Sequence, residues 1–259
     1  MSAPFENLIT INSENAPEQK LSVLLKGQPG AGKTHAWLTF PGPIIACYTD
    51  KNMETVKRAM RQRNDITLVK IQSWSEFADQ FVPAVVNRQL DAGTIVVDTL
   101  DALADMMWRD IQSTRDKLRI QDFGTGKDRL KNNFSDLNDA VVAVPGKPNY
   151  NVVVVSHISD VTDDSGGIVK TTCSVMGAFK DIVEALFDYV LLCESKVDTE
   201  IEGRNSVKVK RYLAHTIPPS RYHTCKAPGY FPVEISPTWE GIQAALALGE
   251  STTTSEENK

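Results

Sequence analysis

Two hundred and fifty-nine residues, 41% apolar and 24% charged with a formal net charge of −5, suit one large α/β domain or two small ones. Whole-chain disorder is excluded because Val, Ile and Leu cluster in runs. A membrane-spanning helix is excluded because the longest apolar runs, such as Asn151–Ser156, fall far short of the roughly 20 residues a span needs. The acidic balance also excludes a surface that attracts nucleic acid as a whole, so polyanion binding has to come from local basic clusters.

Residues 1–19 are polar and mixed and read as a flexible N-terminal arm. No basic stretch followed by an apolar one opens the chain, so no secretion signal is expected and the chain reads as cytoplasmic. Four dispersed cysteines (Cys47, Cys173, Cys193, Cys225), without metal-ligand spacing, fit reduced, mostly buried thiols. Residues 20–248 show neither linker nor repeat and read as one domain, and residues 249–259 as a disordered tail.

Within the domain, short apolar runs alternate with longer amphipathic ones, the pattern of a mainly parallel sheet with helices on both faces. The expected strands are Leu21–Lys26, Pro43–Cys47, Ile66–Ile71, Thr94–Asp98 and Asn151–Ser156. The expected helices are Lys33–Thr39, Lys51–Gln62, Ser75–Leu90, Leu100–Arg115 and Lys127–Val142. Ile95-Val96-Val97 and Val152–Val155 are continuously apolar, as strands covered on both faces should be. Beyond Ser156 the texture changes. Asp163-Asp164-Ser165-Gly166-Gly167 reads as the turn of a hairpin, followed by a helix near Gly177–Phe187. Strands near Tyr189–Glu194, Val207–Ala214 and Phe231–Ile235 and a helix over Thr238–Leu248 complete the chain, with antiparallel strands expected at one sheet edge.

Gly27-Gln28-Pro29-Gly30-Ala31-Gly32-Lys33-Thr34 fills every fixed position of G-x-x-x-x-G-K-[ST], between an apolar strand and a helix that His35 continues. Glycines let the backbone turn and bring several N–H groups onto one anion, and the helix adds its positive end. Residues Gly27 through His35 are therefore the expected nucleotide cradle, with Lys33 on the β- and γ-phosphates of ATP and the Thr34 hydroxyl on Mg²⁺.

Thr94-Ile95-Val96-Val97-Asp98 is an apolar strand ending in a carboxylate. Asp98 can hold Mg²⁺ or cap the helix starting at Leu100, a duty Asp101 could share; beside a P-loop the metal role is the better reading. Asp50 follows the second strand at the same sheet edge and is the candidate general base, although it also suits an N-cap. His157 ends the valine-rich strand there too. It is either a satisfied polar residue or a sensor of the γ-phosphate that passes its state to the following hairpin.

These elements resemble the RecA/RadA-type core ATPases: the P-loop, the acid after the next strand, the Val-Val-Asp-Thr strand and Val-Val-Val-Ser-His. With Gln121-Asp122-Phe123-Gly124, Phe187-Asp188-Tyr189-Val190 and Arg221-Tyr222-His223-Thr224-Cys225-Lys226, the closer likeness is to compact phage members. Those are the Sak-type RecA-like single-strand annealing proteins of the fourth Sak group, often labelled phage nucleotide-binding or AAA proteins. The resemblance spans Leu21 to Leu248. It implies a RecA-like core that binds ATP and single-stranded DNA, works with a single-strand binding protein, and places ATP between subunits of a filament or ring. In a phage-encoded protein the setting would be the host cytoplasm. It also implies that Lys226 reaches a neighbouring subunit's γ-phosphate. The family's Lys-x-Arg-x-Gly is Lys226-Ala227-Pro228-Gly229 here, so strong hydrolysis is not implied.

Basic residues cluster locally at Lys57, Arg58, Arg61 and Arg63, at Arg115, Lys117, Arg119, Lys127, Arg129 and Lys131, and at Arg204, Lys208, Lys210 and Arg211. The middle cluster, with Phe123 and two glycines, reads as a mobile basic loop that tracks a phosphate backbone while Phe123 stacks on a base. Interleaved acids (Asp110, Asp116, Asp122, Asp128, Asp136) support the opposite reading of a solvated helix surface. Three functions fit: a RecA-like ATPase on single-stranded DNA, an AAA-type remodeller or loader of a protein partner, and a nucleotide-gated binding module with little turnover.

Overall fold

A computed structural model describes residues 20–49, 54–113, 119–144, 146–202 and 205–256. The expected arm, residues 1–19, lies outside them. The first half runs β1 (Ser22–Lys26), α1 (Lys33–Trp37), β2 (Ile44–Tyr48), α2 (Glu54–Met60), β3 (Ile66–Lys70), a π-helical segment Glu76–Phe81 continuing into α3 (Val82–Val86), and β4 (Thr94–Asp98). Then come α4 (Leu100–Ser113), α5 (Ile120–Asn138), β5 (Asn151–Ser156) and the hairpin β6 (Ile158–Thr162) and β7 (Ile168–Cys173). Two 3₁₀ turns (Gly177–Asp181 and Val183–Leu186), β8 (Tyr189–Glu202), β9 (Asn205–His215), β10 (Glu234–Ile235) and α6 (Trp239–Glu256) follow.

Among the described residues the strands form an eight-stranded sheet in the order β10-β9-β8-β1-β5-β4-β2-β3, with β6–β7 as a separate pair. β8, β1, β5, β4, β2 and β3 are mutually parallel, while β9 pairs antiparallel with β8 and β10 pairs antiparallel with β9. This is the expected mainly parallel sheet with an antiparallel edge. Every residue of β5 and all of β4 except Asp98 are buried, because apolar side chains cover both faces. One cluster holds Leu24, Val97, Met107, Trp108 and Phe134, and the other Val23, Trp37, Phe40, Val96 and Val153. The carboxyl ends of β1, β4 and β5 therefore meet at one edge, where the sequence placed its phosphate loop, acid and histidine.

Two local expectations are corrected. The segment read as a mobile basic loop is helical from Ile120 onward. The buried Asp122 carboxylate takes the Arg119 backbone N–H at 2.7 Å and caps that start, and Gly126 lets the Trp108 ring lie against the helix where a Cβ would collide with it. At the other end, α6 runs to Glu256, so the backbone of residues 249–256, expected as tail, is helical. No helix among the described residues is long and apolar enough to cross a membrane.

Candidate nucleotide site

The phosphate loop leaves β1 with the Gly27 N–H donating to the Ser156 carbonyl of β5 at 3.3 Å, which ties its entry to the neighbouring strand. Gly30 (φ 79°) and Gly32 (φ 88°) both turn in the left-handed region that glycine adopts without strain. Gly32 also caps α1 from a position where a Cβ would meet the Tyr212 ring of β9. Lys33 follows immediately, buried, with Nζ donating to the carbonyls of Gly27 at 2.7 Å and Gln28 at 2.9 Å. Burial pushes its ammonium below the ordinary lysine value, against the pull of Cys193 and of the Asp98 and Asp101 carboxylates.

Asp98 stands where β4 ends. Its Oδ2 accepts the buried Trp37 indole N–H at 2.8 Å and lies 3.4 Å from Thr34 Oγ1, and its carbonyl accepts the Thr49 N–H at 3.1 Å. A phosphate-bound Mg²⁺ keeps several waters and takes one or two protein oxygens, and a Thr hydroxyl beside a carboxylate is that donor set. Thr34 and Asp98 would hold the ion, which would neutralise charge on the phosphate oxygens. Asp98 therefore sits with the phosphate loop rather than serving only as a helix cap.

His157 follows β5 at the same edge. Its Nδ1 lies 2.9 Å from Asp101 Oδ2, and its backbone N–H donates to Asp101 Oδ1 at 3.1 Å. Burial alone would raise the Asp101 carboxyl, yet the hydrogen bonds and charge of His157 outweigh it and hold Asp101 below the usual carboxylate value. A cleft of about 310 Å³ is lined by Pro29, Gly30, Lys33 and Thr34 of the phosphate loop, by Asp98, Thr99 and His157 from the ends of β4 and β5, and by His35 and Tyr212. His35 is exposed, its ring centroid 5.4 Å from that of Tyr212.

Other candidates lie apart or outside. Asp50, Arg115, Lys117 and Arg204 fall outside the described residues. Lys226 bridges Val190 through its backbone and donates from Nζ to the Phe187 carbonyl at 2.5 Å, just before β8, at the sheet edge opposite the phosphate loop of its own chain. Lys210 donates to the Gly30 carbonyl at 3.0 Å and lies over the Tyr212 ring, so β9 touches the phosphate loop itself. Lys208 is exposed two residues away on the same strand face. On α5, Arg129 pairs with Asp110 at 2.9 Å, Lys127 lies 3.9 Å from Asp128, Lys131 is exposed, and the half-exposed Phe123 ring packs on Trp108. Lys57, Arg58 and Arg61 are exposed on and just beyond α2, but Arg63 is held by the carbonyls of Leu38 and Phe40 and by Asp65.

Sequence reasoning undervalued Asp101 and missed Tyr212. Asp101 lies three residues after Asp98, in the first turn of α4, a position that keeps it at the sheet edge, so its signal was available. Tyr212 is brought to the loop by the β8–β9 pairing, which no short motif encodes.

A family model described as an AAA domain (AAA_24) matches residues 19–225. The chain belongs to this AAA domain family. Members of the P-loop ATPase class bind nucleotide, usually with Mg²⁺, and the cleft described above has the residues for both. No curated protein sequence matches the chain. Among solved structures, it is similar to the flagellar accessory protein FlaH from Methanocaldococcus jannaschii, at 8% identity, with 82% of this chain and 92% of that one covered and a TM-score of 0.35. It is also similar to the RadB recombinase, at 14% identity, with 78% and 90% covered and a TM-score of 0.42.

Proposed function

We propose that this protein is a RecA-like ATPase that binds ATP with Mg²⁺ through Gly27–His35 and Asp98, hydrolyses it to ADP and phosphate, and acts on single-stranded DNA in phage recombination, annealing or replication. The observation that carries the ATPase reading is one cleft holding Lys33, Thr34, Asp98 and His157 beside a glycine loop whose Gly30 and Gly32 turn in the left-handed region. Asp50 is the sequence's candidate for general base. Lys226 is the candidate cation for a neighbouring subunit, in a filament or ring with ATP at the interfaces, and a single-strand binding protein is the proposed helper. The DNA assignment rests on the sequence resemblance and on exposed Lys131 and Lys208. A hydrolysis rate that rises with single-stranded DNA and loses that stimulation at high salt supports it. A rate indifferent to DNA at low salt overturns it.

One observation favours a second reading, an AAA-type loader or remodeller of a protein partner. The hairpin that follows His157 carries Asp160, Asp163 and Asp164 against Lys170, a balance that repels a phosphate backbone. In that reading, nucleotide state at His157 is passed to a basic protein surface, and turnover responds to that protein alone.

A further inference from the structure

We propose that Asp101 and His157 form a dyad in which Asp101 positions the imidazole and His157 Nε2 accepts the proton of the water that attacks the γ-phosphate. The inference rests on the ATPase reading above and adds residues that do the proton transfer. Asp101 holds His157 twice, by the ring Nδ1 at 2.9 Å and by the backbone N–H at 3.1 Å, so both the ring and the strand end that carries it are fixed. A carboxylate accepts hydrogen bonds and donates none, and Asp101 is kept ionised below the ordinary carboxylate value. Nδ1–H donating to that carboxylate leaves Nε2 as the ring nitrogen that can accept a proton.

That tautomer decides between the two chemistries open to a histidine in this cleft. A lone pair faces a phosphate oxygen unfavourably but accepts a water O–H well. His157 lines the same cleft as Lys33 and Thr34, which bind the phosphate side. As the water oxygen bonds to the γ-phosphorus, the bond from that phosphorus to the β–γ bridging oxygen breaks and its electron pair stays on ADP. The water proton passes to Nε2. The imidazolium so formed is stabilised by Asp101 and then gives its proton to released phosphate or solvent. The charged and titratable groups that share the cleft edge with the ring are Asp101 from α4, Asp98 from β4, and Lys33 and His35 from the phosphate loop and α1. Asp101 Oδ2 is in direct contact with it, 2.9 Å from Nδ1.

The test compares wild type with Asp101→Asn, His157→Gln and Asp50→Asn. Wild-type kcat should fall as the pH drops through the imidazole titration, because the protonated ring has no lone pair. His157→Gln should lose about 10²-fold in kcat together with that acid limb. Asp101→Asn should lose about tenfold or more and move the limb to lower pH, because removing the carboxylate destabilises the imidazolium. Asp50→Asn should keep the limb whatever its rate. Calorimetry with ATP on both dyad variants separates a loss of binding from the loss of turnover that the dyad predicts. Nitrogen-15 spectra give a readout without turnover: His157 should be the Nδ1–H tautomer at neutral pH, with a titration midpoint that falls in Asp101→Asn. An Nε2–H tautomer, an unmoved midpoint, or a full rate and intact limb in His157→Gln overturns the dyad while ATP binding leaves the nucleotide reading standing. If Asp101→Asn does not fold, His157→Gln and the wild-type spectra decide alone. A wild-type chain that binds no ATP overturns both.

Discussion

Lys210 of β9 donates to the Gly30 carbonyl in the middle of the phosphate loop at 3.0 Å, a contact between residues 180 positions apart in the chain. With Tyr212 against Gly32, it makes the β8–β9 ribbon one wall of the nucleotide cleft rather than a free basic surface. Lys210→Ala should therefore weaken ATP binding by up to about tenfold, the worth of one charge-assisted hydrogen bond. Lys208→Ala, two residues away and exposed, should leave ATP affinity alone. Calorimetry on both variants checks the contrast, and equal effects would mean that the ribbon does not support the loop.

Gly32→Ala should destabilise the fold as well as the site. A left-handed φ costs an L-residue about 1–2 kcal/mol, and the new Cβ meets the Tyr212 ring. Adding Tyr212→Ala should recover the steric part and leave the backbone part. Thermal denaturation of the single and double variants measures both, and a Gly32→Ala protein as stable as wild type would rule the argument out.

Asp98 carries two duties that different substitutions separate. Asp98→Asn keeps an acceptor for the buried Trp37 indole N–H and should fold normally while losing Mg²⁺-dependent hydrolysis. Asp98→Ala leaves that N–H without this partner and should cost about 1–3 kcal/mol besides. Denaturant unfolding of the pair, followed by phosphate release with and without Mg²⁺, tests the split. Unchanged turnover in Asp98→Asn would return the residue to a capping role.

Lys26, the residue before the phosphate loop, is 1% exposed and pairs with Glu184 at 2.6 Å, with Thr224 bound to both. Glu184→Ala strands a buried ammonium and should cost about 3–5 kcal/mol, whereas the double change Lys26→Met with Glu184→Leu should be nearly neutral. Equal losses in the single and double variants, read by denaturant unfolding, would show that the pair is not what matters there.

Asp101 also gives stability a pH dependence. Its folded pKa is depressed, so its contribution is present above the ordinary carboxylate value of about 3.9 and is lost as the pH falls through the lower folded value. Asp101→Asn should be less stable than wild type from pH 5 to 8, and the gap should close in stronger acid. A gap constant down to pH 2 would contradict the assignment.

The parallel core was legible because its strands obey one strong rule. Thr94–Asp98 and Asn151–Ser156 are continuously apolar between their polar end residues, and their expected and observed bounds coincide. The phosphate loop was legible because a single backbone geometry dictates its residue types. Ser75–Leu90 was harder: its helical period is real, but Pro83 at the start of α3 follows a π-helical turn that local pattern does not encode. The glycines near Phe123 suggested a loop because the use of one of them, Gly126 seating Trp108 against α5, is a tertiary contact. The β8–β9 ribbon reaches past Glu194 through Val197, Thr199 and Ile201, which alternate with charged residues, and through Val207 and Val209 of β9, so its period-2 signal was present in the sequence and went unread past Glu194.

The claim beneath every role proposed is that a nucleoside triphosphate docks on the amides between Gly27 and His35. Isothermal titration of the purified chain with ATP and Mg²⁺, beside Lys33→Ala, measures this directly. Saturable heat in the wild type that Lys33→Ala abolishes, with both proteins folded by circular dichroism, is the predicted result. No heat at millimolar ATP, or identical binding in the two proteins, would contradict it.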